Sequence, residues 1–205
     1  MAESRIDRAG ERRRTRASVD DPAVVMDAAA AFLAVRPRSV AETRRRLRRL
    51  GYRQELVDLV VARLTEMGYL DDAAFAGAWV ESRDRSAPRG AAALRRELAL
   101  KGVERRTIEG VLEEREARGG GERRAGGSRW CSAGDRRGVD ADHRVSPSAE
   151  EAAARRVLER KLPALLRVSD ERRRWQKAYA LLARNGFDPE TCAATIHSVF
   201  RRDRS

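Results

Sequence analysis

Apolar residues recur at intervals of three and four along most of this chain, the spacing of helix faces that look into a core. Asp21-Pro22 is a good helix start, an N-cap acid followed by proline at the first helical position. Val24, Val25, Ala28, Phe32 and Val35 mark the apolar side, and Pro37 stops that helix. Ser39 and Glu42 fit a capping box; Val40, Thr43, Leu47 and Leu50 then form a narrow stripe that Gly51 closes. Leu56, Val57, Val60, Val61, Leu64 and Met67 give a third, more apolar helix. After the turn Gly68-Tyr69-Leu70, Asp71 stands at an N-cap with Asp72 in the first turn, where carboxylates complement the helix dipole. Phe75, Trp79 and Val80 follow at helical spacing. Pro88, Arg89 and Gly90 break the pattern, Leu94 and Leu98 restart it, and Gly102 is placed as a left-handed C-cap. Ile108, Val111 and Leu112 mark a further short helix. From 116 to 147 glycines sit among Arg, Ser and Asp with almost no apolar period, which predicts a flexible insertion. Ser148 and Glu151 fit a second capping box, and helix resumes through Val157, Leu158 and Leu162 until Pro163 interrupts it. A helix over Ser169–Asn185 carries Trp175, Ala178, Tyr179 and Leu182 inward; Asp188-Pro189 opens the last one, with Cys192, Ile196, Val199 and Phe200.

These pieces align on three glycines, Gly51, Gly102 and Gly186. One residue after each is apolar (Tyr52, Val103, Phe187), and four before each is a leucine (Leu47, Leu98, Leu182). Six after come Val57, Ile108 and Cys192; ten after come Val61, Leu112 and Ile196. The pattern predicts an all-α fold of tandem three-helix repeats in three copies, at 22–67, 68–115 and 148–205, which stack because one unit alone cannot bury its apolar face. Residues 1–21, rich in both arginine and acids, read as a disordered arm.

Charge adds a surface to this frame. The chain carries a net +12, which favours a polyanionic partner and association weakened by salt. Arg36 to Arg53 holds eight arginines and one acid, while Gln54 to Ser82 holds six acids and one base, so the bases gather on the second helix of the repeat. Arg44, Arg45, Arg48 and Arg49 lie off the apolar stripe there. Arg95, Arg96 and Lys101 in the second copy, and Arg172, Arg173 and Lys177 in the third, extend the same bias and form the candidate binding surface. A single charged helix is usually just a solvated face; the recurrence favours binding.

Catalytic chemistry finds no support. His143 and His197 lack metal-ligand spacing to Cys131 or Cys192, the run Gly119 to Gly121 has neither a phosphate-loop pattern nor a preceding strand, and Asp71-Asp72 are explained as helix-start acids. No cofactor is expected. Two lone cysteines suit a reducing compartment. No apolar run is long enough to cross a bilayer, and the N-terminus lacks a signal-peptide core, so no membrane association and a cytoplasmic location are expected.

The string Gly68-Tyr69-Leu70-Asp71-Asp72, with Phe75-Ala76, Trp79-Val80 and Arg83, resembles the signature of the RecX family, bacterial regulators of the recombinase RecA. Arg89-Gly90, Leu94, Glu97-Leu98 and Lys101-Gly102-Val103 continue the likeness; Gly51-Tyr52 and its surroundings are similar to the family's first repeat, and Gly186-Phe187 to its third. The resemblance implies an elongated, curved, monomeric array that binds RecA along its DNA-bound filament. It further implies inhibition of RecA's ATP hydrolysis, strand exchange and coprotease activity in DNA repair and the SOS response, without catalysis of its own. Two other classes remain. One is a direct binder of single- or double-stranded DNA through the basic helices, which nearly lack the Asn and Gln that read bases. The other is a helical-repeat adaptor for an acidic protein.

Overall fold

The computed structural model describes residues 10–11, 14–121 and 148–202, and every regular element among them is helical. The main elements are α1 (Pro22–Leu33), α2 (Val40–Leu50), α3 (Gln54–Glu66), α4 (Asp72–Ser86), α5 (Ala91–Leu100), α6 (Arg105–Gly121), α7 (Ala149–Leu166), α8 (Glu171–Arg184) and α9 (Pro189–Arg202). They fall into three successive sets of three, with α2, α5 and α8 as the second helices.

Local sequence sets the helix ends. The Asp21 carboxylate accepts the Ala23 N–H at 2.8 Å, with Pro22 in the first turn. Ser39 Oγ accepts the Glu42 N–H at 3.1 Å while the Glu42 carboxylate accepts the Ser39 N–H at 3.4 Å, and Ser148 with Glu151 repeats this box at 3.1 Å in both directions. The Asp71 carboxylate accepts from Ala73 and Ala74 at 2.8 and 3.0 Å. Three second helices end on glycines with φ of 105°, 81° and 83° at Gly51, Gly102 and Gly186, a left-handed backbone that costs other residues strain.

The chain divides into two compact units, residues 1–79 with 96–108, and 80–95 with 109–205. In the first, Val25, Leu47, Val57, Val60, Val61 and Leu70 are buried together. In the second, Ala153, Leu158, Ala178, Leu182, Cys192 and Ile196 form the core, with Trp175 and Tyr179 packed against its edge.

The structure departs from the sequence reading at several places. Pro163 does not interrupt its helix: α7 runs through it to Leu166. A proline forfeits one backbone hydrogen bond, and here that loss falls in the final turn, where the helix is about to end anyway. The next helix is capped by Asp170, whose carboxylate accepts the Arg173 N–H at 3.2 Å, and so begins at Glu171. Helix α6 continues to Gly121, past the expected start of the insertion at 116. Its Glu116 has a folding role, accepting the N–H groups of Ala149 and Glu150 at 3.1 Å. Residues 14–17 are helical, Val19 packs on the first core, Asp20 pairs with Arg53, and the Arg16 guanidinium sits 6.0 Å from the Tyr52 ring centre. The chain just before Pro22 is thus held where composition suggests a disordered arm. The expected insertion from 122 onward, with Trp130, Cys131 and His143, lies outside the described residues.

Candidate interaction surface

Each second helix buries its leucine completely, Leu47, Leu98 and Leu182 being 0% exposed, so the opposite face is left for charge. What fixes these helices is a joint that occurs once in each unit. In the first, the end of α5 meets the start of α2. Ser39 Oγ donates to the Lys101 carbonyl at 2.6 Å, and Arg45 Nη2 donates to the carbonyls of Leu100 and Lys101 at 3.3 and 3.4 Å. In the second, the end of α8 meets the start of α5: the Gly90 N–H donates to the Asn185 carbonyl at 3.0 Å, and Arg89 donates to the Asn185 side chain. Carbonyls left open at one helix end are satisfied by donors at the start of another. The glycines allow the approach. A Cβ on Gly102 would stand 2.3 Å from the Ala41 Cβ, and one on Gly186 would stand 2.5 Å from the Ala93 Cβ.

A carboxylate completes each joint. Asp72 accepts the Val40 N–H at 2.9 Å, and Glu150 accepts the Ala91 N–H at 3.0 Å, each capping a helix far away in sequence. Burial pushes the Asp72 carboxyl up despite the Val40 bond, with the charges of Asp71 and Glu42 adding to the rise. Burial also raises Glu150 against the lowering effect of the Ala91 N–H and Arg115, and Asp188 and Glu116 push it further. Glu42 goes the other way. Burial favours its neutral form, but the Lys101 hydrogen bond, the Ser39 N–H and the charges of Lys101 and Arg36 outweigh that and hold it below the ordinary carboxylate range.

The predicted binding residues divide by what they touch. Arg44 pairs with Asp58 at 2.9 Å, and Arg48 reaches the same carboxylate at 3.8 Å. Arg95 grips Glu109 through Nε and Nη2 at 2.9–3.0 Å, and that carboxylate holds the Arg95 pKa above its usual value. These are one interaction in two repeats, since both pairs are 14 residues apart and start seven residues before their glycine. Lys101, 25% exposed, bonds Glu42 at 3.0 Å and lies 4.8 Å from the Trp79 ring centre. The Trp79 Nε1–H in turn donates to Glu97 at 2.9 Å. Arg45 serves the joint, and Arg173 lies 3.5 Å from Asp170. Arg49, Arg96, Arg172 and Lys177 are exposed and meet no partner among the described residues. In the third repeat the register of Arg95 and Arg96 holds Tyr179 and Ala180, and the bases come earlier. The family-signature residues Leu70, Phe75, Ala76, Leu98 and Phe187 are core, whereas Tyr69 is 71% exposed.

Sequence reasoning missed Arg115. It is 4% exposed, donating from Nε and Nη2 to Asp84 at 3.0 and 2.8 Å and from Nη2 to the Arg89 carbonyl at 3.2 Å. Its place in an Arg/Glu-rich stretch, Glu113-Glu-Arg-Glu116, gave no apolar signal of burial. Among the described residues no group of three or more His, Cys, Asp or Glu could hold a metal ion. Burial pushes the Cys192 thiol up to about 11, which makes it a poor nucleophile. No helix among the described residues is long and apolar enough to cross a membrane.

Three family models match the chain in tandem: RecX, first three-helix domain, at residues 26–64; RecX, second three-helix domain, at 71–112; and RecX, third three-helix domain, at 149–196. The chain is 41% identical over 81 residues to a regulatory protein RecX of Halalkalibacterium halodurans, covering 40% of this chain and 30% of that protein. It is 41% identical over 81 residues to that of Mycolicibacterium vanbaalenii, where the match spans 44% of the relative. Both matches span less than half of the relative's own length. With the Mycobacterium ulcerans protein of the same name, 28% identity extends over 173 residues, 84% of this chain and 83% of that one. The fold is similar to the crystal structure of RecX from Lactobacillus salivarius, with a TM-score of 0.67 at 15% identity, covering 87% of this chain and 96% of that one.

Proposed function

Because the chain belongs to the RecX family, we propose that it binds RecA on its DNA filament and depresses RecA's ATPase, strand exchange and coprotease activity without catalysing a reaction itself. The observation that carries this reading is the match to all three family domains, in order, on one chain. We place those modules at 22–67, 68–115 and 148–205. A filament wrapped on DNA is an anionic environment, and a chain of net +12 would reach it by charge-steered association. The bases best suited to meet it are Arg49, Arg96, Arg172 and Lys177, which meet no partner among the described residues, whereas Arg44, Arg45, Arg48, Arg95, Arg173 and Lys101 are engaged with groups of the chain itself. The protein would act as a monomer in the cytoplasm.

The test is RecA's ATP hydrolysis on single-stranded DNA with this protein titrated in. Near-stoichiometric protein should depress the rate while hydrolysing no ATP when RecA is omitted. An unchanged RecA rate with no filament binding would remove the assignment. A second reading, direct DNA binding, is favoured by the exposed bases that meet no partner among the described residues. RecA pull-downs with and without DNA separate the two, since a direct DNA binder is captured only through the nucleic acid.

A further inference from the structure

Helix α8 carries five bases against one acid within Glu171–Arg184. Amid this charge stands an aromatic side chain that the core does not fully cover. Trp175 is half-buried, packed at the edge of the second unit's core. One face of its indole is stacked on Tyr179, with ring centres 5.2 Å apart and planes at 15°. Trp175 also lines a shallow groove of about 550 Å³ together with Glu171, Arg172 and Gln176. Tyr179 takes no part in that lining. Arg172 and Lys177, three residues before and two after the tryptophan, are exposed and meet no partner among the described residues. Glu171, the one acid lining the groove, is engaged in an interaction of its own.

We propose that the Trp175 groove is a stacking site for an unpaired base of single-stranded DNA, with Arg172 and Lys177 on the flanking phosphates. The chemistry matches what a single strand offers. Its bases present flat apolar faces of any sequence, and its backbone presents regularly spaced negative charge. A rigid indole stacked on a second ring loses little freedom on stacking, and the surrounding cations disfavour a basic or neutral apolar insert in favour of one that brings phosphates with it. A double helix keeps its bases stacked on each other and cannot fill the groove, so the site separates single from double strands. The inference rests on the reading of the second helices as a surface for a DNA-loaded filament and adds a ligand to it, the exposed base.

The test uses the full chain without RecA and two labelled oligomers of equal length and charge, oligothymidylate and its abasic counterpart, followed by fluorescence anisotropy at fixed salt. The wild-type protein should bind oligothymidylate about tenfold more tightly than the abasic strand, the scale of one base–aromatic stack. Trp175→Phe should keep most of that preference. Trp175→Leu, which retains an apolar side chain at the core edge, should bring the ratio toward one with abasic affinity unchanged. Gln176→Glu, at an exposed position of the groove, should weaken oligothymidylate binding severalfold without touching the fold. A wild-type ratio near one, or a preference that survives Trp175→Leu, overturns the proposal. If Trp175→Leu still depresses RecA's ATPase while wild type shows no base preference, the stacking site fails and the filament reading stands.

Discussion

At the scale of single residues, Arg115 is a guanidinium taken almost fully out of water. Burying a charge is tolerable only while its partner remains, and removing one member of such a pair typically costs about 3–5 kcal/mol. Asp84→Ala should therefore lower unfolding stability by that order in urea titrations, and Asp84→Asn, which keeps an acceptor oxygen, by less. The joint carboxylates make a second case. Asp72 and Glu150 hold their protons more tightly folded than unfolded, so their contribution to stability declines as pH rises from the ordinary values of 3.8 and 4.5 through the folded ones. Glu42 has the opposite sign: its contribution is present above 4.5 and is lost as pH falls through its lowered value. Asp72→Asn removes the ionisation while leaving an oxygen for the Val40 N–H. It should keep stability at neutral pH and flatten the decline that sets in as pH rises above 3.8. Asp72→Ala strands that N–H and should cost about 1–3 kcal/mol throughout. Equal behaviour of the two variants would show that the cap is not what Asp72 contributes.

At the scale of elements, the glycines at helix ends separate two effects. Gly68 and Gly102 share a left-handed backbone, with φ of 76° and 81°, but a Cβ on Gly68 meets nothing within 4 Å whereas one on Gly102 strikes Ala41. Gly68→Ala should cost only backbone strain, about 1–2 kcal/mol. Gly102→Ala should cost clearly more, and Ala41→Gly should recover part of the excess, a coupling that a double-mutant cycle reads directly. The contrast also marks how far the sequence could be read. Caps such as Ser39–Glu42 are legible because both bonds lie within three residues, and the repeat is legible because three glycines share one apolar frame. The Asp72–Val40 bond spans 32 residues and was hidden behind an adequate local account of Asp72 as a first-turn acid. Arg45, Arg48 and Arg49 lie exposed, off the apolar stripe as their spacing predicts, yet charge patterning cannot say which arginine meets solvent and which meets an acid. The Arg44–Asp58 and Arg95–Glu109 pairs could have been found by laying the repeats over each other and asking where a base and an acid recur together. Pro163 misled because its penalty depends on how many turns follow it, and only three residues of helix do.

For the whole molecule, association should follow the cations that meet no partner among the described residues. Arg49→Glu with Arg96→Glu should leave helicity and melting nearly intact, since exposed substitutions typically shift stability by about 0.5 kcal/mol. It should weaken filament binding and flatten its salt dependence, measured as affinity across a series of salt concentrations. Arg44→Glu with Arg95→Glu breaks ion pairs within the repeats and should lower the melting temperature as well. If the first pair binds with wild-type affinity and salt slope, the exposed bases are solvent decoration. The joint between second helices bears on how such a protein can change over time. What it recognises is main chain: the accepting group is a peptide carbonyl both times, while the donor is a hydroxyl at Ser39 and a peptide N–H at Gly90. The accepting side of that junction is therefore indifferent to its side chains, and the demand falls on the small glycine that allows the approach and on the donors and capping carboxylates beside it. The fold itself is kept with few letters in common, as the 15% identity at a TM-score of 0.67 shows. By the same logic a duplicated module would arrive carrying both halves of its own connector.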